Sequence, residues 1–94
     1  MTGIVKGNTK KKYRNGEVVG YFLLQRPATG EALSTDGHQL WSYILPIGVW
    51  DTTNKGRHHV RMPAPERWYT SATLSHRGML KATATAMGIP VNLN

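Results

Sequence analysis

The pattern of apolar and polar positions predicts a short, strand-rich domain closed by one helix. The run 17–25, Glu17-Val18-Val19-Gly20-Tyr21-Phe22-Leu23-Leu24-Gln25, is β-branched, aromatic or aliphatic on both parities. That suits a strand buried on both faces, with Gly20 at a bulge or a close backbone approach. Arg26-Pro27-Ala28-Thr29-Gly30 reads as a type I turn, because Pro27 fixes φ at the second position. A short strand over 31–35 follows, and Asp36-Gly37 is a hairpin signal. The next strand, 38–44, alternates. Leu40, Ser42 and Ile44 share one side; Gln39, Trp41 and Tyr43 share the other, which is expected to be core because a small domain needs its largest side chains inside. Leu45-Pro46-Ile47-Gly48 ends or bends that strand, and 51–56 is turn chemistry. Strand 57–62 then places Arg57, His59 and Arg61 on one basic face and His58, Val60 and Met62 on a packing face.

Pro63-Ala64-Pro65 forms a stiff connector. The hydroxyl-rich run Thr70-Ser71-Ala72-Thr73-Leu74-Ser75 offers several N-caps for a helix over 75–87. Leu80, Ala84 and Met87 recur at i, i+4 and i+7 as its apolar stripe, with His76 and Thr83 at the margin. Arg77 and Lys81 lie side by side on its flank. Gly88 is placed as the residue after the helix, and Pro90 stops any continuation. The fold expected is α+β: a curved antiparallel sheet of about four strands packed with one C-terminal helix. Residues 17–94 would form that single domain.

Charge changes the picture at the N-terminus. Twelve Lys and Arg stand against five Asp and Glu, a formal +7 with neutral His. Lys6, Lys10, Lys11, Lys12 and Arg14 crowd into 1–16 without a carboxylate, so this stretch is expected to be a flexible basic arm. Such density favours polyanionic partners, since each Lys or Arg on a phosphate releases a condensed counterion. The arm, the strand face Arg57/His59/Arg61 and the flank Arg77/Lys81 are the candidate phosphate contacts, and the strand and helix sets are expected to join as one surface. Residues 70–77 are a candidate anion site, because a helix N-terminus presents free N–H groups beside Ser and Thr hydroxyls.

Other chemistry finds less footing. With no Cys there is neither a disulfide nor a thiolate metal site. Adjacent strand residues point to opposite faces, so His58 and His59 do not readily share a metal. A metal-dependent nuclease of the paired-His type needs an orienting Asn that is absent between Asn54 and Asn92, and the carboxylates are too few for two-metal work. No P-loop or dinucleotide motif occurs, so no cofactor is expected. The apolar runs are far shorter than the roughly 20 residues of a membrane span, and no signal peptide is visible, so a cytoplasmic location is expected.

Leu40, Ser42, Tyr43, Pro46 and Ile47, then Thr70, Ser71, Thr73, Ser75, His76 and Arg77, carry a family resemblance. They are similar to small accessory proteins of bacterial and archaeal viruses, in which a Leu-x-Ser-Tyr strand leads to a Pro-Ile pair and a hydroxyl-rich run precedes basic residues and His. The chain departs at Leu45 and Leu74, where hydroxyl residues are usual, and in the order His76-Arg77. The resemblance covers less than half the chain and implies a viral or mobile-element setting without naming a reaction. The expected function is a non-enzymatic module contacting nucleic acid. The alternatives are a host-directed inhibitor of the anti-defence or anti-CRISPR type, binding a host protein or ribonucleoprotein, and more remotely the nuclease.

Overall fold

The computed structural model describes residues 12–52, 56 and 58–93. In chain order they form helix α1 (Asn15–Leu23), strands β1 (Pro27–Thr29), β2 (Leu33–Asp36), β3 (Gln39–Ser42), β4 (Leu45–Thr52) and β5 (His58–Met62), helix α2 (Ser71–Ala86) and strand β6 (Val91–Leu93). The class is α+β, but the described residues form six strands and two helices rather than about four strands and one helix. The sheet runs β1-β2-β3-β4-β5-β6, antiparallel through β5 and closed by β6 lying parallel to β5.

The largest correction is at 17–25, where 17–23 are helical, 24–25 form a turn and no part is strand. Val18, Val19, Phe22 and Leu23 are buried, a spacing of i, i+1, i+4 and i+5 that marks one helical face. Glu17 helps start the helix, its carboxylate accepting the Arg14 N–H at 2.9 Å. Leu24 turns outward and Gln25 ends the helix in a left-handed conformation (φ 60°). The stretch expected as a turn at Pro27 is strand β1, with Pro27 at the sheet edge where its missing N–H costs no ladder bond.

The expected strand 38–44 is divided. It turns at Tyr43-Ile44 and returns as β4, with Ser42 opposite Leu45. Its faces are also the reverse of expectation: Leu40 and Ser42 point into the core, whereas Trp41 is half-buried on the outer face and Ile44 is exposed. Pro46 bends β4 without ending it. A register shift between Leu40 and Trp41 lets Ile47 bulge into the core.

Both helices lie on one face of the sheet. A Cβ at Gly48 would come within 2.7 Å of Leu80 Cδ2 on α2 and 3.4 Å of Phe22 Cε2 on α1, so a side chain there would displace Leu80 from its seat against the sheet. Phe22, Leu33, Leu40, Ile47, Val60, Met62 and Leu80 fill the space between the layers. Trp50 adds its ring, 6.1 Å from that of Phe22, and donates its indole N–H to the Phe22 carbonyl at 2.8 Å. Helix α2 begins earlier than expected, at Ser71, where the Thr70 hydroxyl accepts the Thr73 N–H at 3.1 Å. Leu80 and Ala84 are buried as the stripe predicts, but Met87 is exposed. The helix ends before Gly88 and Pro90 as expected, and the chain beyond them adds β6. Among the described residues no helix is long and apolar enough to cross a membrane.

Candidate functional site

The residues that begin the fold also begin the candidate site. Of the arm expected over 1–16, Lys6, Lys10 and Lys11 lie outside the described residues. Lys12 onward is built into the domain. The Tyr13 N–H donates to the Thr29 carbonyl at 2.9 Å and Tyr13 bridges Gly30. A side chain at Gly30 would press a Cβ to within 2.7 Å of the Tyr13 carbonyl oxygen, so glycine there is what admits the incoming chain. The Tyr13 ring packs 4.9 Å from that of Tyr21. Lys12 pairs with Glu31 at 3.2 Å in the open. Lys12, Tyr13, Arg14, Asn15 and Glu31 line a concave corner of about 450 Å³.

Behind this corner runs a buried chain of polar groups. Asn15 Nδ2 lies 3.4 Å from His76 Nε2, and His76 Nδ1 lies 2.7 Å from Ser42 Oγ. Ser42 Oγ is in turn 3.1 Å from Thr73 Oγ1, which also receives the Thr70 hydroxyl at 3.2 Å. In one consistent assignment Asn15 donates to Nε2, Nδ1–H donates to Ser42, and Ser42 donates to Thr73. The network ties α1, β3 and α2 together through Asn15, Ser42, Thr73 and His76. The last three are among the positions that carried the family resemblance. A serine hydroxyl 2.7 Å from an imidazole is nucleophile–base spacing. Ser42 is fully buried, however, so no substrate carbonyl reaches its oxygen. Nor does any group of three His, Asp or Glu among the described residues suit a metal ion.

Burial lowers the His76 pKa below its ordinary value of 6.5. The unfolded chain, with an unperturbed imidazole, therefore takes up this proton first as the solution is acidified. Stability should be full above about pH 6.5 and fall as pH drops through the lower folded value. Urea unfolding of the wild type and of His76→Gln at pH 7 and pH 5 checks this. The variant is expected to lose less stability over that interval than the wild type, and equal losses would remove His76 as the source.

The remaining expected phosphate contacts are scattered. Arg57 lies outside the described residues. His59 is not on an exposed basic face: it is only 6% exposed and its Nδ1 has no hydrogen-bond partner. Alternation set its side of the strand correctly, since Val60 and Met62 enter the core, but that outer side is not open at this position. Arg61 is engaged by Asp51 at 3.2 Å. The Thr52 N–H and then the Arg61 guanidinium hold the Asp51 carboxyl below the ordinary carboxylate range. Arg77 donates to the Pro63 carbonyl. Lys81 is exposed beside a second groove, between α2 and β6, where Ile89, Pro90 and Val91 also line the wall. The expected single surface of strand and helix cations is not formed by the described residues, because Arg61 points away from the face that α2 covers.

Several features of the surface carry no mark in the sequence. Glu31 and Asn15 complete the corner, and Arg26 and Arg67 are exposed cations. Tyr43 and Ile44 occupy an exposed turn. The one available hint was the Leu-x-Ser-Tyr and hydroxyl-run pattern, whose two ends meet at Ser42, Thr73 and His76. Comparison with protein-family models, curated proteins and solved structures yields no match.

Proposed function

We propose that the protein is a non-enzymatic nucleic-acid-binding module that holds a phosphate backbone at the Lys12–Arg14 corner. Lys10 and Lys11 immediately precede Lys12 in the sequence, with Lys6 further upstream. One observation carries the reading: among the described residues, exposed cations outnumber those held in ion pairs. Among the described residues only Lys12 and Arg61 form ion pairs, both solvent-exposed, while Arg14, Arg26, Arg67 and Lys81 are exposed without one. Exposed pairs are worth about 0–1 kcal/mol, so Lys12 can exchange Glu31 for phosphate at little cost. Contacts of this kind position a polyanion and carry no sequence information of their own. A viral or mobile-element accessory role in a host cytoplasm belongs to the same proposal and rests on the resemblance alone.

A host-directed inhibitor is the second reading, favoured by Ile44 at 87% and Trp68 at 64% exposure, the kind of anchors a protein interface buries. Pull-down from host lysate with and without nuclease separates the two. The nucleic-acid reading expects co-purified material absorbing in the ultraviolet as nucleobases do, and release of any captured protein after nuclease. A protein retained stoichiometrically after nuclease, with no nucleic acid bound, would favour the inhibitor.

A further inference from the structure

The β3–β4 turn breaks the local rules of a hairpin. Two-residue turns favour Gly, Asn or Asp because their backbone enters the left-handed region. Here the turn is Tyr43-Ile44, and Tyr43 itself adopts φ 58°. A bulky residue in that region is strained. Burial does not compensate, since Tyr43 is 57% exposed and Ile44 is 87% exposed. A turn that places its two largest side chains in solvent at a backbone cost is built for contact with something outside the chain.

Its position says what. The Tyr43 N–H donates to the Ala32 carbonyl at 2.7 Å, and Ala32 follows Glu31, the partner of Lys12. On its other side the Tyr43 ring lies 6.1 Å from the His76 ring, and His76 meets Asn15, next to Arg14. The turn is thus anchored on two sides to residues that adjoin the basic corner, Ala32 next to Glu31 and His76 against Asn15. We infer that Tyr43 and Ile44 form the base-contacting element of the proposed interface, stacking on unpaired nucleobases whose phosphates lie against Lys12 and Arg14. This inference rests on the nucleic-acid reading and narrows it to single-stranded or locally unpaired substrates. The exposed face of an aromatic ring stacks on any base, whereas bases within a duplex are already stacked on both sides. A second copy of the chain is a poor occupant, because it carries the same net charge of +7 and would meet Lys12 and Arg14 with like charge.

The test is fluorescence anisotropy at low salt with a labelled oligo-dT, an unstructured RNA and a blunt duplex. Tyr43→Gly is the informative variant, because glycine accepts the left-handed turn and leaves folding undisturbed while removing the ring. It is expected to bind both single strands about 5- to 100-fold more weakly and the duplex within about twofold of the wild type. Tyr43→Phe, which keeps the ring, should stay within about twofold on every probe. Undiminished single-strand binding by Tyr43→Gly and Ile44→Ser, with wild-type binding intact, would overturn the stacking role and leave the phosphate corner standing. Absence of binding to any probe by the wild type would overturn both. A concentration-dependent dimer in sedimentation that Ile44→Ser abolishes would assign the turn to a second copy instead.

Discussion

Phe22→Ala is expected to be the most damaging single substitution, lowering stability by about 3–5 kcal/mol. Phe22 is fully buried between α1 and the sheet, beneath Trp50 and facing Gly48. A domain of this size has a total stability of about 5–15 kcal/mol, so the variant should be partly unfolded at moderate temperature. Two neighbours show whether the segment is truly a helix. Leu24 is exposed, and Leu24→Ala should stay within about 0.5 kcal/mol, although in a strand it would share a face with Phe22. A Cβ at Gly20 meets nothing within 4 Å, so Gly20→Ala should stabilise the protein by about 0.5–1 kcal/mol through helix propensity. Chemical denaturation of the three variants measures all of this. Destabilisation by Leu24→Ala as large as that by Phe22→Ala would contradict the helical phase.

Leu80→Ala should cost about 2–5 kcal/mol, because Leu80 is fully buried and its side chain occupies the space left by Gly48. Collapse of that cavity is hindered from both sides, by the sheet backbone at Gly48 and by Ala84 one turn along, which is itself buried. Lys81→Ala, one residue further and exposed, should remain within about 0.5 kcal/mol. Thermal midpoints of the pair check the result, and equal shifts would mean that α2 presents a different face to the sheet.

The parts of the fold that local chemistry specifies were legible in the sequence. The stripe through Leu80 and Ala84, the hydroxyl caps ahead of α2 and the inward placement of Val60 and Met62 all follow from periodicity and capping. Helix α1 was not, because Val18, Val19, Phe22 and Leu23 satisfy a short two-sided strand and a helical face equally, and β-branched residues tip propensity toward strand. Packing against α2 and the sheet overrides that preference. The turn at Tyr43-Ile44 carries no turn residue and could not be located from sequence. Neither could the polar network, since Asn15 and His76 are 61 positions apart. Alternation assigned His59 to the outer face of β5, but alternation says nothing of what covers a face. Among the candidate contacts, Lys12 and Arg14 followed directly from charge density. Their corner did not, because Glu31 joins it only through the bridge that sets Tyr13 beside Gly30.

The central claim, that this corner binds phosphate, is tested most directly by the salt dependence of nucleic-acid affinity in the wild type and in the Lys12→Ala/Arg14→Ala double variant. Neither side chain is part of the core, so the fold should survive both changes. The wild type should bind DNA and RNA with an affinity that falls steeply as salt rises, and the double variant should bind more weakly on all sequences alike. The slope of log K against log[salt] should become shallower by about one unit for each phosphate that is no longer neutralised. A slope unchanged in the double variant, with the fold intact and the wild type binding, would contradict the placement of the phosphate backbone at this corner.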